Sequence, residues 1–321
     1  MPAHRVLYTD YAWPDVEIER EILAPVGAEL VLSPDKREET LIELAKSVDA
    51  IMTCWAPTTA RVIDAVPHCH IIARTGIGLD NIDVAHATKR GIVVTNVPDY
   101  CYIEVAEHTL ALILALGRKL HLYRDATRAG RYDLMEHLPF ERMTGQTVGL
   151  VGLGRIGQRL APVLQELGFR VVGTNRSKQS PPGVQWRSRD ELLSESDYVV
   201  LVCPLTSETR HLINAQSLAR MKPTAYLVNT SRGGLVDHAA LAAALDNGRL
   251  AGAALDVQDP EPPDLSQPPY NDPRVLVTPH AAFSSTQAVN DLRTRVAHQV
   301  AAKLRGETPE NVVNPEVLRS E

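Results

Sequence analysis

Apolar residues along the first hundred positions follow two alternating patterns. Short, nearly continuous apolar runs at residues 6–9, 29–32, 50–54, 71–74 and 92–95 predict buried strands. Between them, apolar residues at helical spacing predict helices near 16–23, 40–45, 59–65 and 84–89, the last stopped by Gly91. Crossovers this short join parallel strands, so the region should be one parallel sheet with helices on both faces. The alternation breaks at Asn96-Val-Pro-Asp-Tyr100. A long helical run is predicted from Tyr102 to about Tyr123, with Val105, Leu110, Ile113, Leu114 and Leu120 as its apolar positions. Residues 124–145 are polar and mixed, and read as an arm or connector.

A second alternation then begins. Strands are predicted at 147–151, 170–173, 198–203, 225–229, 251–257 and 275–278, with helices after Gly152, near 215–221 and over 237–247. A Pro/Ser/Gln-rich loop covers 177–188, and a Pro-rich segment runs from Asp259 to Pro269. Six or seven strands fit a dinucleotide fold. The last predicted helix, 286–304, starts after this sheet is complete, so its natural place is on the first sheet. The expected architecture is α/β with two Rossmann-like domains. A dinucleotide-binding doubly wound sheet spans 100–284, and a smaller, discontinuous flavodoxin-like substrate domain spans 1–99 and 285–321, with hinges near 97–101 and 283–286 and a cleft between.

Composition narrows the function classes. A formal net charge of −6 over 321 residues gives no general attraction to nucleic acid or to anionic membranes, so any anion must be held by a local site. No apolar run is long enough to span a bilayer and the N-terminus shows no signal pattern, so a cytoplasmic protein is expected. Cys54, Cys69, Cys101 and Cys203 lie scattered beside apolar runs and are expected to be reduced core residues. His68 and His70 flank Cys69, but nothing is spaced to complete a site, so no metal is expected.

The candidate chemistry lies at strand ends. Gly152-Leu-Gly154-Arg155-Ile156-Gly157 follows a predicted strand and opens a helix. The first glycine makes a tight turn, the second lets backbone N–H groups approach a pyrophosphate, and the third lets helix and strand pack closely. The end of the next strand usually carries a carboxylate for the ribose of NAD; here Asn175 and Arg176, followed by Ser177 and Lys178, carry no negative charge. NADP(H) is therefore favoured over NAD(H). Arg232, flanked by Ser231 and two glycines, can hold a carboxylate at two points. His280 ends the last strand of this unit beside Pro279, and Glu261 lies in the preceding Pro-rich loop, where a carboxylate could fix the imidazole tautomer for proton transfer. In the first region, Arg74-Thr-Gly76-Ile77-Gly78 closes a strand, and the N–H groups of Ile77 and Gly78 can hold a small anion.

The glycine motif, Ser231-Arg232-Gly-Gly234, Asp256-Val257 with Glu261-Pro262, and Thr278-Pro-His280 occur in the order and spacing of the D-isomer-specific 2-hydroxyacid dehydrogenases. The resemblance covers almost the whole chain, including Arg74–Asp83 and Val105-Ala-Glu-His108. Val97-Pro-Asp-Tyr-Cys101 and His280-Ala-Ala-Phe283-Ser most resemble the branch with the C-terminal-binding proteins. It implies reversible NAD(P)-dependent reduction of a 2-oxoacid to the D-2-hydroxyacid, with Arg232 on the carboxylate and carbonyl, His280 as acid/base and Glu261 orienting it. Asp256 would lie near the nicotinamide carboxamide, and Cys203-Pro204-Leu205-Thr206 would line the adenosine side. Arg155, Ile156, Thr209 and Thr230 complete the expected cofactor set, and Phe283 would limit the substrate pocket. A homodimer built on the nucleotide-binding domain is also implied. The alternative is a dinucleotide-sensing, corepressor-like interaction protein. Gln258 stands where Phe is common, which would make the pocket more polar, and Pro162 inside the glycine helix should kink it.

Overall fold

Among the described residues, 3–139 and 141–319, the computed structural model contains twelve strands, all paired in parallel, in two separate sheets. Residues up to Tyr100 together with those from Ser285 onward form one compact unit, and Cys101–Ser284 forms another. The first unit holds β1 (His4–Tyr8), β2 (Ala28–Leu32), β3 (Ala50–Thr53), β4 (Ile71–Arg74) and β5 (Val93–Thr95) in the order β2-β1-β3-β4-β5. This is the flavodoxin-like order. The inner strands β3 and β4 are buried along their whole length, which is why they read as continuous apolar runs rather than alternating ones.

The helix Thr286–Leu304 packs on this first sheet, and its Leu292, Val296 and Val300 join a cluster with Val6, Tyr8, Trp13 and Leu23. The helix also carries Arg293 into the core. Its guanidinium forks onto the fully buried carboxylate of Glu19 at 2.9 and 2.7 Å, reaches Asp15 at 3.0 Å and lies over the Trp13 ring. Pairing of this kind offsets the cost of burying the cation.

The second unit holds β6 (Thr147–Val151), β7 (Arg170–Thr174), β8 (Gln185–Trp186), β9 (Tyr198–Leu201), β10 (Tyr226–Asn229), β11 (Gly252–Leu255) and β12 (Val275–Val277). Their order, β12-β11-β10-β9-β6-β7-β8, is the doubly wound dinucleotide-fold order, with its reversal between β6 and β9. The carboxyl ends of β6, β7, β9, β10, β11 and β12 carry the residues singled out above.

Two local expectations are corrected. The single long helix is two, Tyr102–Gly117 and Leu120–Arg128, because Lys119 adopts a left-handed φ of 50°. At Gly117 the helix passes so close to Tyr198 and Met143 that a Cβ would collide with both. The Pro/Ser/Gln-rich loop contains the short edge strand β8, which pairs with β7. A helix, Arg189–Glu195, follows it, opened by a capping box in which Ser188 and Glu191 satisfy each other's N–H groups. The helix Arg155–Glu166 contains Pro162 in its interior. Pro162 and Gln158 both lie on its exposed side, so the carbonyl left without a donor faces water.

Candidate active site

The glycine turn separates two demands. Gly152 has φ 114°, and a Cβ there would sit 2.5 Å from the Val202 carbonyl oxygen; at Gly157 it would sit 2.6 Å from that of Gly152. Both glycines are required by the turn itself. Gly154, in extended conformation at the N-cap, would meet nothing within 4 Å. The open space therefore lies at the amino end of the helix, where the helix dipole favours an anion, and the turn fits a dinucleotide pyrophosphate. Arg155 and Ile156 open that helix.

At the end of β7, the Asn175 amide donates to the Gln179 carbonyl at 2.7 Å and closes the turn. Arg176, Ser177 and Lys178 are exposed, and Lys178, at φ 54°, holds its ammonium over the Trp186 ring. Among the described residues, no carboxylate stands at this strand end. After β9, the Thr209 hydroxyl donates to the Pro204 carbonyl at 2.8 Å and accepts from the Thr206 N–H at 2.7 Å, so it locks the Cys203–Thr209 turn. The Cys203 carbonyl accepts from the Ser231 hydroxyl, and burial pushes the Cys203 thiol up to about 11, which keeps it neutral. Thr230 is buried with its hydroxyl 2.8 Å from that of Thr109. The hydroxyls of Thr209 and Thr230 are thus already engaged within the protein.

Beyond β10, Asn229 folds the next turn around itself, donating to the Arg232 carbonyl at 2.9 Å and accepting from the Ser231 N–H at 3.1 Å. Gly233 then passes directly against the backbone of Gln258 and Asp259, leaving no room for a Cβ. The turn carrying Arg232 is in this way pressed against the turn carrying Glu261. The Arg232 charge is one of the influences that lower the Glu261 carboxyl.

Glu261 is held at both oxygens. One accepts the Gln258 N–H at 2.8 Å, and the other lies 2.9 Å from His280 Nδ1. Burial raises the Glu261 carboxyl, but the hydrogen bond and charge of His280, the Gln258 N–H and the Arg232 charge outweigh it and leave it below its ordinary value. An ionised carboxylate at Nδ1 places the imidazole proton there and leaves Nε2 for chemistry. His280 itself sits at φ 53°, a left-handed conformation that disfavours side chains. The conformation is imposed by Asp256. The Asp256 backbone oxygen accepts the His280 N–H at 2.7 Å, and its fully buried carboxylate accepts the Thr278 hydroxyl at 2.6 Å and the N–H groups of Ala281 and Ala282 at 2.8 and 2.9 Å. His108, from the helix Tyr102–Gly117, adds a contact to the Thr278 hydroxyl at 3.1 Å. Phe283 stands edge-to-face against the imidazole, with ring centroids 6.0 Å apart.

Arg232, Glu261 and His280 are therefore gathered on adjacent strand ends of one unit. Gln258 departs from expectation: its amide nitrogen is spent on the Leu255 and Thr278 carbonyls at 3.0 and 3.3 Å, tying β11 to β12 rather than adding polarity to a pocket. Sequence reasoning did not find the anchoring role of Asp256 or the contact from His108. The signal for Asp256 was a carboxylate ending the apolar strand Gly252–Leu255, which obliges it to find internal donors. In the first unit, Ile77 and Gly78 follow β4, and their N–H groups have no acceptor among the described residues. Among those residues, no three His, Cys, Asp or Glu side chains form a group able to hold a metal, and no helix is long and apolar enough to cross a membrane.

The family model described as "D-isomer specific 2-hydroxyacid dehydrogenase, NAD binding domain" matches residues 110–282. A glyoxylate reductase of Korarchaeum cryptofilum is 39% identical over 293 residues, covering 88% of this chain and 87% of its own. Among solved structures, an NADPH-dependent glyoxylate/hydroxypyruvate reductase of Sinorhizobium meliloti, in complex with NADP and malonate, superposes with TM-score 0.86 at 31% identity, covering 97% of this chain and 96% of its own. A D-lactate dehydrogenase of Aquifex aeolicus complexed with NAD and lactic acid superposes with TM-score 0.85 at 26% identity, covering 99% and 98%.

Proposed function

Because the chain belongs to the D-isomer-specific 2-hydroxyacid dehydrogenase family, and is thereby an NAD(P)-dependent reductase of 2-oxoacids, we propose that Arg232, Glu261 and His280 are its catalytic set, with a short oxoacid of the glyoxylate class as substrate and NADPH as preferred reductant. The observation that carries this reading is the Glu261–His280 contact of 2.9 Å beside the Arg232 turn.

His280, with Nδ1 tied to Glu261, presents Nε2 to donate a proton to the carbonyl oxygen during reduction and to take it back in the reverse direction. Arg232 holds the substrate carboxylate and polarises the adjacent carbonyl, so its charge stabilises the alkoxide as it develops. The dinucleotide, when bound, supplies the hydride. Gly154 and the first N–H groups of the helix Arg155–Glu166 would hold its pyrophosphate. The carboxylate-free end of β7 and the exposed Arg176 and Lys178 support the NADPH preference, since a 2′-phosphate would meet donors rather than a carboxylate. Phe283 against the imidazole supports a short substrate side chain. The N–H groups of Ile77 and Gly78 are assigned to the acid's carboxylate.

A second copy of the chain is proposed to cover the apolar arm of the Cys101–Ser284 unit, where Tyr132 is 97% and Leu134 74% exposed beside exposed Met135 and Leu120. The functional reading is tested by nicotinamide absorbance with glyoxylate, hydroxypyruvate, pyruvate and phenylpyruvate, each with NADPH and NADH. Fastest turnover is expected with glyoxylate or hydroxypyruvate and NADPH. No turnover with any pair would favour a dinucleotide sensor instead.

A further inference from the structure

The first unit contains a cation that the proton-transfer set does not use. Arg74, the last residue of β4, is 6% exposed, and among the described residues its guanidinium has no carboxylate partner. The buried carboxylate near the neighbouring strand ends, Asp10, is already spent on the N–H groups of Cys54, Trp55 and Ala56. A buried charge left uncompensated is costly, and Arg cannot escape by losing its proton.

The guanidinium has instead turned to the loop that follows it. It donates to the Thr75 carbonyl, and its Nε donates to the Gly78 carbonyl at 2.8 Å. Gly76, at φ 150°, makes room for it, because a Cβ there would lie 2.5 Å from Nη1. The other two carbonyls of the loop are also taken from within: Gly76 accepts the Val97 N–H at 3.0 Å, and Ile77 accepts the Asn96 amide at 2.8 Å. Four successive carbonyls, Thr75 to Gly78, thus face internal donors, while the N–H groups of Ile77 and Gly78 lack an acceptor among the described residues. Successive free N–H groups above a positive charge make an anion receptor.

We propose that Arg74 is a positioning and specificity-determining residue: it fixes the Ile77–Gly78 N–H groups, and its uncompensated charge makes the loop select an ionised carboxylate over a neutral ester or amide. The proposal rests on the reading that this loop holds the carboxylate of a 2-oxoacid. A residue that merely braced the loop would be indifferent to whether the substrate is charged.

The test compares pyruvate with methyl pyruvate, at saturating NADPH, in wild type, Arg74→Gln and Arg74→Lys. For Arg74→Gln, KM for the acid should rise about tenfold or more while kcat and KM for the ester move less than about threefold, so the preference for the acid falls about tenfold. Arg74→Lys keeps the charge and should retain that preference within about threefold. Parallel loss of acid and ester turnover in Arg74→Gln, or an unchanged KM for the acid, would overturn the proposal. If Arg74→Gln does not fold, loss of acid preference in Arg74→Lys overturns it equally. Absence of turnover by the wild type on every oxoacid would count against the functional reading instead. Binding of oxamate in the presence of NADPH then decides on Arg74, with equal affinity in wild type and Arg74→Gln refuting its role.

Discussion

Replacing Asp256 with Asn tests how the acid/base residue is held. In the wild type, one carboxylate oxygen accepts the Thr278 hydroxyl and the Ala281 N–H, and the other accepts the Ala282 N–H. An amide keeps one acceptor and puts an NH2 where the other was, so at least one of the three donors meets a donor. Hydrogen bonds to a charged group contribute about 1.5–3 kcal/mol each. They hold His280 in a left-handed conformation that itself costs about 1–2 kcal/mol. Once one bond is lost, relaxation of the loop takes the imidazole away from Glu261. If the lost bond is expressed wholly in that displacement, kcat/KM should fall about ten- to hundredfold, at about 1.4 kcal/mol per decade. The assay is steady-state oxidation of NADPH by glyoxylate, with NADPH affinity measured separately by protein fluorescence. The anchoring account expects affinity to stay within about threefold, because the carboxylate is occupied by the protein's own donors. Wild-type kcat/KM in Asp256→Asn would refute it, as would loss of cofactor affinity with turnover retained.

Four further outcomes follow from the same geometry. Gly157→Ala should lower stability by about 1–3 kcal/mol, because its Cβ meets the Gly152 carbonyl. Gly154→Ala should unfold like the wild type yet bind NADPH about tenfold or more weakly, and equal thermal midpoints for the two variants would contradict the division of labour. Asn175→Asp should move the ratio of kcat/KM for NADPH over NADH toward NADH by about tenfold or more, through repulsion of the 2′-phosphate; an unchanged ratio would show that this strand end does not read the ribose. The Glu261 carboxyl lies below its ordinary value of 4.5 in the folded protein, so its contribution to stability is complete above that pH and is lost as pH falls through the folded value. The difference in melting temperature between wild type and Glu261→Gln should therefore shrink on acidification below about pH 4.5, and a difference that grows would reverse the sign of the argument.

The strands were legible because they are buried on both faces and read as apolar runs, as in Ile71–Arg74 and Tyr198–Leu201. β8 was hidden: two residues at an exposed sheet edge carry no periodicity, although Ser188 and Glu191 marked the helix after it. The break at Lys119 was not legible either, because the apolar spacing runs across it. At the candidate site, glycines and polar residues at strand ends located Arg232, Glu261 and His280. What sequence could not show was which donors meet which acceptors. Asp256 was expected beside the cofactor, and nothing local showed that its two oxygens also serve the backbone next to His280. Gln258 looked like a polar pocket residue but ties two strand ends together. Such roles depend on contacts between segments about twenty residues apart, which no local pattern records.

The most direct test of the account is single-turnover and steady-state reduction of glyoxylate by His280→Gln and Arg232→Ala, beside NADPH affinity in each. The account predicts that turnover falls about a thousandfold or more in either variant while NADPH affinity stays within about threefold. Wild-type turnover in either variant would contradict the claim that an imidazole tied to Glu261 and the neighbouring guanidinium carry the reaction.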